Sequence, residues 1–136
     1  MKIKVVLDTS ALVSALLYGG ATSRLVSLWE KGRLVPLLSK EVLLEYVRVL
    51  GYPKFELDPE AIKGLIEENV LPFAEMIGVA AVPRVIPEDP GDDKFLALAE
   101  EGEAAYIVSG DKHLLKLAKY KGVSIITPRQ LLELMK

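Results

Sequence analysis

The 136-residue sequence has no cysteine and a single histidine, His113. The first absence excludes disulfide scaffolds, thiol catalysis, iron–sulfur clusters and cysteine-ligated zinc. The second excludes a multi-histidine metal site and an HExxH protease. Any metal chemistry must therefore rest on carboxylates, which select a hard ion such as Mg²⁺ or Mn²⁺. A long hydrophobic run is missing as well. The N-terminus passes from Met1-Lys2-Ile3-Lys4 to Asp8 without an apolar stretch that would serve as a signal peptide or membrane span, so the expectation is a soluble cytoplasmic protein. Neither sign of charge prevails: Lys+Arg number 17, Asp+Glu 19, and the formal net charge is −2. Attraction to a polyanion would have to come from a local basic patch. Thermolabile amides are scarce, with Asn69 and Gln130 the sole examples, a trait shared with proteins of thermophiles.

What is present is the balance of a folded globular protein, 51% apolar and 26% charged. The length fits one domain, residues 1–136, with one core. Short apolar runs alternate with longer amphipathic ones. Ile3–Leu7 reads as a buried strand stopping at Asp8, with Ser10 as cap of a helix to Leu17. Gly19-Gly20 breaks that helix, and a second runs from Thr22 or Ser23 to Lys31, stopped by Gly32. Leu34–Leu38 is a second strand, with Pro36 inside it arguing against a central position. Ser39 caps a helix over Lys40–Leu50, and Asp58 caps another over Pro59–Val70. Ile77–Val82 is a third strand, and Pro83–Gly91, with three prolines, is a loop. A helix over Asp92–Glu101, a strand over Ala104–Val108, a helix over Lys112–Lys119 and a strand over Val123–Ile126 follow. Thr127-Pro128-Arg129-Gln130 opens the last helix as a capping box. This alternation predicts a three-layer α/β/α sandwich around a parallel sheet of about five strands, whose site lies outside the C-terminal strand ends.

Several acids fall where such a site would form. Asp8 follows the first strand, beside the hydroxyls of Thr9 and Ser10. It is either a helix cap or a functional carboxylate, and burial of an unpaired charge at a strand mouth is costly. Glu45 lies among apolar residues mid-helix, either on an exposed stripe paired with Arg48 or aimed into a pocket; Glu41 competes on the same face. Asp92 and Asp93 open a helix beside Asp89, which is more acid than capping requires, and the stretch Glu88–Lys94 is either a solvated loop or one wall of a cation site. Asp111 closes Val108-Ser109-Gly110-Asp111 and is either the cap of the next helix or a site residue. Carboxylates packed together repel unless a cation neutralises them, and such a cluster holding Mg²⁺ suits phosphodiester cleavage.

These segments resemble the PIN-domain nucleases, in order and over nearly the whole chain. Val5-Val6-Leu7-Asp8-Thr9-Ser10 is similar to the family's opening strand-Asp motif. Leu38-Ser39-Lys40-Glu41-Val42-Leu43-Leu44-Glu45-Tyr46 resembles the second motif, Asp92-Asp93-Lys94-Phe95-Leu96-Ala97 the third, and Val108-Ser109-Gly110-Asp111 the fourth. The resemblance implies a PIN-like, Rossmann-like fold. It also implies a quartet of Asp8, Glu45, Asp93 and Asp111 that binds Mg²⁺ or Mn²⁺ and is catalytic, Asp92 being an additional candidate ligand and Ser10 and Ser109 polar support. Ser10 stands where many members carry Asn. The single-domain bacterial and archaeal members most similar to the chain are VapC-type toxin ribonucleases.

The function this implies is metal-dependent endoribonuclease, the toxin of a toxin–antitoxin pair, with RNA as substrate and an antitoxin protein as partner. One alternative is a catalytically idle PIN-fold module that binds RNA or a partner protein. Another is a phosphatase with Asp8 as nucleophile. Lys112, Lys116 and Lys119 share a helical stripe starting beside Asp111, and with Arg24, Lys94 and Arg48 they are candidates for an RNA-binding rim, or simply a solvated face. The apolar share is high, and the resemblance implies pairing through helices such as those over Lys40–Leu50 and Pro59–Val70, so a two-fold homodimer is expected; the alternative is that these helices simply pack on the sheet.

Overall fold

The computed structural model describes residues 2–79 and 90–136. In chain order the elements are β1 (Ile3–Leu7), α1 (Thr9–Leu17), α2 (Arg24–Glu30), β2 (Leu34–Leu38), α3 (Lys40–Leu50), α4 (Pro59–Asn69), β3 (Glu75–Met76), α5 (Asp93–Glu101), β4 (Tyr106–Val108), α6 (Lys112–Leu117), β5 (Lys119–Tyr120), β6 (Val123–Ile126) and α7 (Pro128–Leu134). Single 3-10 turns lie at Ala21–Ser23, Pro53–Phe55, Leu71–Phe73 and Pro90–Asp92.

The strands form one six-stranded sheet in the order β3-β2-β1-β4-β6-β5. All pairs are parallel except β5 with β6. The chain builds outward from β1 to β2 and β3, then crosses back to β4 on the other side of β1. With right-handed crossovers, the helices before and after that return lie on opposite faces. Burial agrees: Val5, Val6 and Leu7 point alternately to the two faces, and all three are inaccessible. The three-layer α/β architecture expected from the sequence is present, with Leu12, Trp29, Tyr46, Phe95, Leu96 and Leu114 packed over the strands.

Three details differ from the sequence reading. Pro36 occupies a strand with neighbours on both sides. Its register accounts for this. Leu38 turns its carbonyl to the β3 side, where Ile77 N donates to it at 2.7 Å, so Pro36, two residues earlier, faces the same way. The β3 ladder begins only at Leu37 opposite Glu75, and the missing N–H therefore points just short of a partner. The third strand is Glu75–Met76 rather than Ile77–Val82, because its partner β2 ends at Leu38 and the ladder ends with it. Residues 80–82, and 83–89 of the expected loop, lie outside the described residues. Finally, the helix expected over Lys112–Lys119 stops at Leu117. Ala118 takes φ 63°, and Lys119–Tyr120 turns back along β6 as an edge strand. Lys121 and Gly122, both with positive φ, form the two-residue hairpin turn.

Candidate active site

The strand order reverses at β1, so a crevice opens where β1 and its neighbour β4 end. Asp8 follows β1 and Ser109 follows β4, and Asp8 N donates to Val108 O at 3.0 Å, continuing the ladder into the site. The Asp8 side chain is 4% exposed. One carboxylate oxygen accepts from Ala11 N at 2.8 Å and Ser10 Oγ at 3.1 Å, and the other from Ser109 Oγ. Asp8 is thus the cap of α1, in extended conformation, and the expectation that Ser10 is the cap is corrected. Ser10 already lies in the first helical turn, where its hydroxyl reaches back to Asp8 instead. Burial raises the pKa of Asp8. The three hydrogen bonds oppose that rise, and the negative charge of Asp111 adds to it.

Ser109, fully buried, links two acids: its hydroxyl donates to Asp8 and accepts from Asp111 N at 2.8 Å. Asp111 caps α6, accepting from His113 N at 2.7 Å and Leu114 N at 3.4 Å. For both aspartates, the capping role and a place in the site coincide.

Glu45 is not on an exposed stripe; its side chain is 14% exposed. One carboxylate oxygen accepts from Thr9 Oγ1, and the other from Lys94 Nζ, with Arg48 a more distant cation at 3.6 Å. The neighbouring Tyr46 fixes this placement, its buried hydroxyl donating to Leu7 O at the end of β1. Burial, with the charges of Asp8 and Glu45, pushes the Tyr46 phenol well above its usual pKa, so it stays a protonated donor. Asp93, 2% exposed, opens α5 beside Lys94, and Asp92 holds the cap position without a side-chain capping bond. Glu41 is exposed and lines a separate small cavity with Ser39, Lys40 and Lys94.

The structure thus joins Asp8 to Asp111 through Ser109, and Glu45 to both Thr9, beside Asp8, and Lys94, beside Asp93. Among the described residues, no group of three or more acidic or histidine side chains stands together as a metal-holding cluster. The donor set suits a hard cation in kind, since every group is an oxygen, and a buried Asp8 whose charge is disfavoured would gain from one. Of the rim candidates, Lys112 and Lys116 are exposed on α6 next to Asp111. Lys119 has left that stripe for β5. Arg24 lies beyond the far end of α1, in a cavity of about 400 Å³ with Arg129, Glu133 and Lys136 that includes none of the four acids. Sequence reasoning missed Tyr46 and the bonding role of Thr9. A tyrosine at helical spacing looks like any core residue, whereas a hydroxyl directly after a strand-end Asp was a usable signal.

No single described helix is long and apolar enough to cross a membrane. The chain is 30% identical over 149 aligned positions to the uncharacterized protein MJ1680 of Methanocaldococcus jannaschii, covering 98% of this chain and 92% of that one. Its fold is similar to VapBC2 of Rickettsia felis, solved bound to a DNA fragment from their promoter, with TM-score 0.62 and 14% identity over 90% of this chain and 97% of that one. It is similar also to the PIN domain endonuclease Utp24, with TM-score 0.54 and 17% identity over 90% of this chain and 82% of that one. Members of the PIN domain family are generally nucleases, and the PIN domain profile matches residues 4–113. The chain, with its strand-end aspartates at the reversal of a mostly parallel sheet, belongs to the PIN domain family.

Proposed function

We propose that the protein is a metal-dependent endoribonuclease that hydrolyses RNA phosphodiester bonds in the cytoplasm as the toxin of a toxin–antitoxin pair. The observation that carries this reading is the hydrogen-bonded Asp8–Ser109–Asp111 link at the mouth of β1 and β4. Asp8, Glu45, Asp93 and Asp111 would hold Mg²⁺ or Mn²⁺, with Asp92 as an additional ligand and Ser10 as support. The chemistry such an ion would supply there is polarisation of the phosphate and a water nucleophile at neutral pH. The chain's own groups orient the acids. Ser109 and Ala11 N fix the two oxygens of Asp8, Tyr46 anchors the helix carrying Glu45, and Lys94 balances its charge. With water as the nucleophile, hydrolysis would leave no covalent intermediate on Asp8. The likeness to VapBC2 supports an antitoxin partner.

The test is cleavage of single-stranded RNA by pure protein in Mg²⁺ or Mn²⁺, beside Asp8→Asn and Asp111→Asn. Asn is an equally good helix cap, so both variants should fold while activity falls by orders of magnitude. Full activity in EDTA would refute the mechanism. The idle-module alternative is favoured by one observation, the ammonium of Lys94 already seated on Glu45. RNA binding without cleavage in either metal would decide for it.

A homodimer is part of the proposal. Leu44 and Val47 on α3 are 59% and 40% exposed, and Val47 lines an apolar groove with Ile62, Ile66 and Leu71. Burying this face between two copies should cover more than about 1,000 Å² in total.

A further inference from the structure

A second groove meets the acidic crevice at Thr9 and Ser10, whose hydroxyls donate to Glu45 and Asp8. It runs along α1 and is lined by Thr9, Ser10, Val13, Ser14, Tyr18, Val49, Lys54 and Phe55, with a volume of about 370 Å³, within the range of about 300–1,000 Å³ for small-ligand clefts. Ser10, Ser14 and Tyr18 follow one another at four-residue steps. They make a stripe of hydroxyl groups that starts at the Asp8 carboxylate and extends roughly 12 Å at the helical rise. The far end is aromatic and basic. Tyr18 is 56% exposed. Its ring meets that of Phe55 at 6.5 Å between centroids and a tilt of 55°. Lys54 Nζ lies 5.2 Å from the Phe55 centroid. Among the described residues, no acid lines the groove.

We infer that this groove is a nucleotide subsite for single-stranded RNA, in which a base stacks on Tyr18 and a backbone phosphate meets Lys54 while the strand passes Ser14 and Ser10 on its way to the acids. This deepens the endoribonuclease reading and rests on it for the identity of the strand. The chemistry selects a single strand, since a base held in a duplex cannot present its face to Tyr18. An exposed aromatic ring beside a cation, in a groove lined by hydroxyls, is the make-up of single-strand binding grooves. A protein helix would instead need a continuous apolar stripe, which Ser10, Ser14 and Lys54 interrupt.

The test is equilibrium binding of a short fluorescein-labelled single-stranded RNA in EDTA, where affinity is read without cleavage, with a second RNA carrying 2-aminopurine to report stacking. Tyr18→Ala should weaken binding roughly 5- to 150-fold and abolish the 2-aminopurine quenching, whereas Tyr18→Phe should retain both. Lys54→Gln should flatten the logarithmic salt dependence by about 0.7. Equal affinity and quenching in wild type and Tyr18→Ala would overturn the subsite, as would duplex RNA bound with the same dependence on Tyr18. The two readings separate cleanly. Tyr18-dependent binding without metal-dependent cleavage leaves the subsite standing and sinks catalysis. Asp8-dependent cleavage with binding and KM unmoved by Tyr18→Ala does the reverse.

Discussion

The ammonium of Lys94, at the start of α5, lies against the carboxylate of Glu45 in the middle of α3. The two helices reach this point by different crossovers, and both side chains are largely buried, 19% and 14% exposed. The pair therefore ties α3, which carries Glu45, to α5, which carries Asp93.

Lys94→Met should cost about 1–3 kcal/mol of stability, less than loss of a partner from a fully buried pair, because Arg48 remains near Glu45. Chemical unfolding of Lys94→Met, Glu45→Gln and the double variant should show a coupling of similar size. If Lys94 takes the charge-balancing place of a metal, Mg²⁺ should raise the melting temperature of Lys94→Met more than that of the wild type.

Asp8 gives a pH dependence of known sign. Its native pKa is raised above the ordinary 3.8, chiefly by burial. The folded state therefore holds the proton more tightly than the unfolded chain, and ionising Asp8 as pH rises through its native pKa removes stability. Above that pKa the penalty is complete; below the ordinary value it vanishes. Asp8→Asn, which keeps the cap, should melt higher than wild type at neutral pH without divalent ions, with the difference shrinking as pH falls toward 3.8. A difference that grows on acidification would contradict the burial argument.

Gly102, after α5, has ordinary helical φ, so its need for glycine is one of space. A Cβ there would stand 2.5 Å from Leu37 Cδ1 and 3.2 Å from Ile77 Cγ1. Leu37 is wholly buried in β2 and cannot move away freely. Gly102→Ala should destabilise by about 1–3 kcal/mol, measured by urea unfolding.

The apolar surface of α3 and α4 should be sensitive to charge. Leu44→Glu, at a site 59% exposed, should leave the monomer fold intact and shift the mass by light scattering from dimer to monomer. A wild type already monomeric at tens of micromolar would rule out the dimer.

Much of this architecture was legible in the chain alone, because local signals and the final fold agree. Ile3–Leu7 ends at Asp8, Ser39 and Asp58 cap α3 and α4, and Thr127 and Gln130 form the capping box of α7, all through bonds spanning three residues or fewer. Strand–helix alternation then pointed to strand ends for the candidate site. Partners distant in sequence had to be decided in three dimensions. Pro36 fits a central strand because the β3 ladder starts one residue later, and Lys119–Tyr120 leaves the helical pattern because β6 offers an edge. Glu45 turns inward, where its local pair with Arg48 would have left it exposed, because Thr9 and Lys94 supply donors from 36 and 49 residues away. A sequence displays capping and periodicity because they are local. Which ammonium meets which carboxylate depends on how the crossovers pack, and that is set by the whole core.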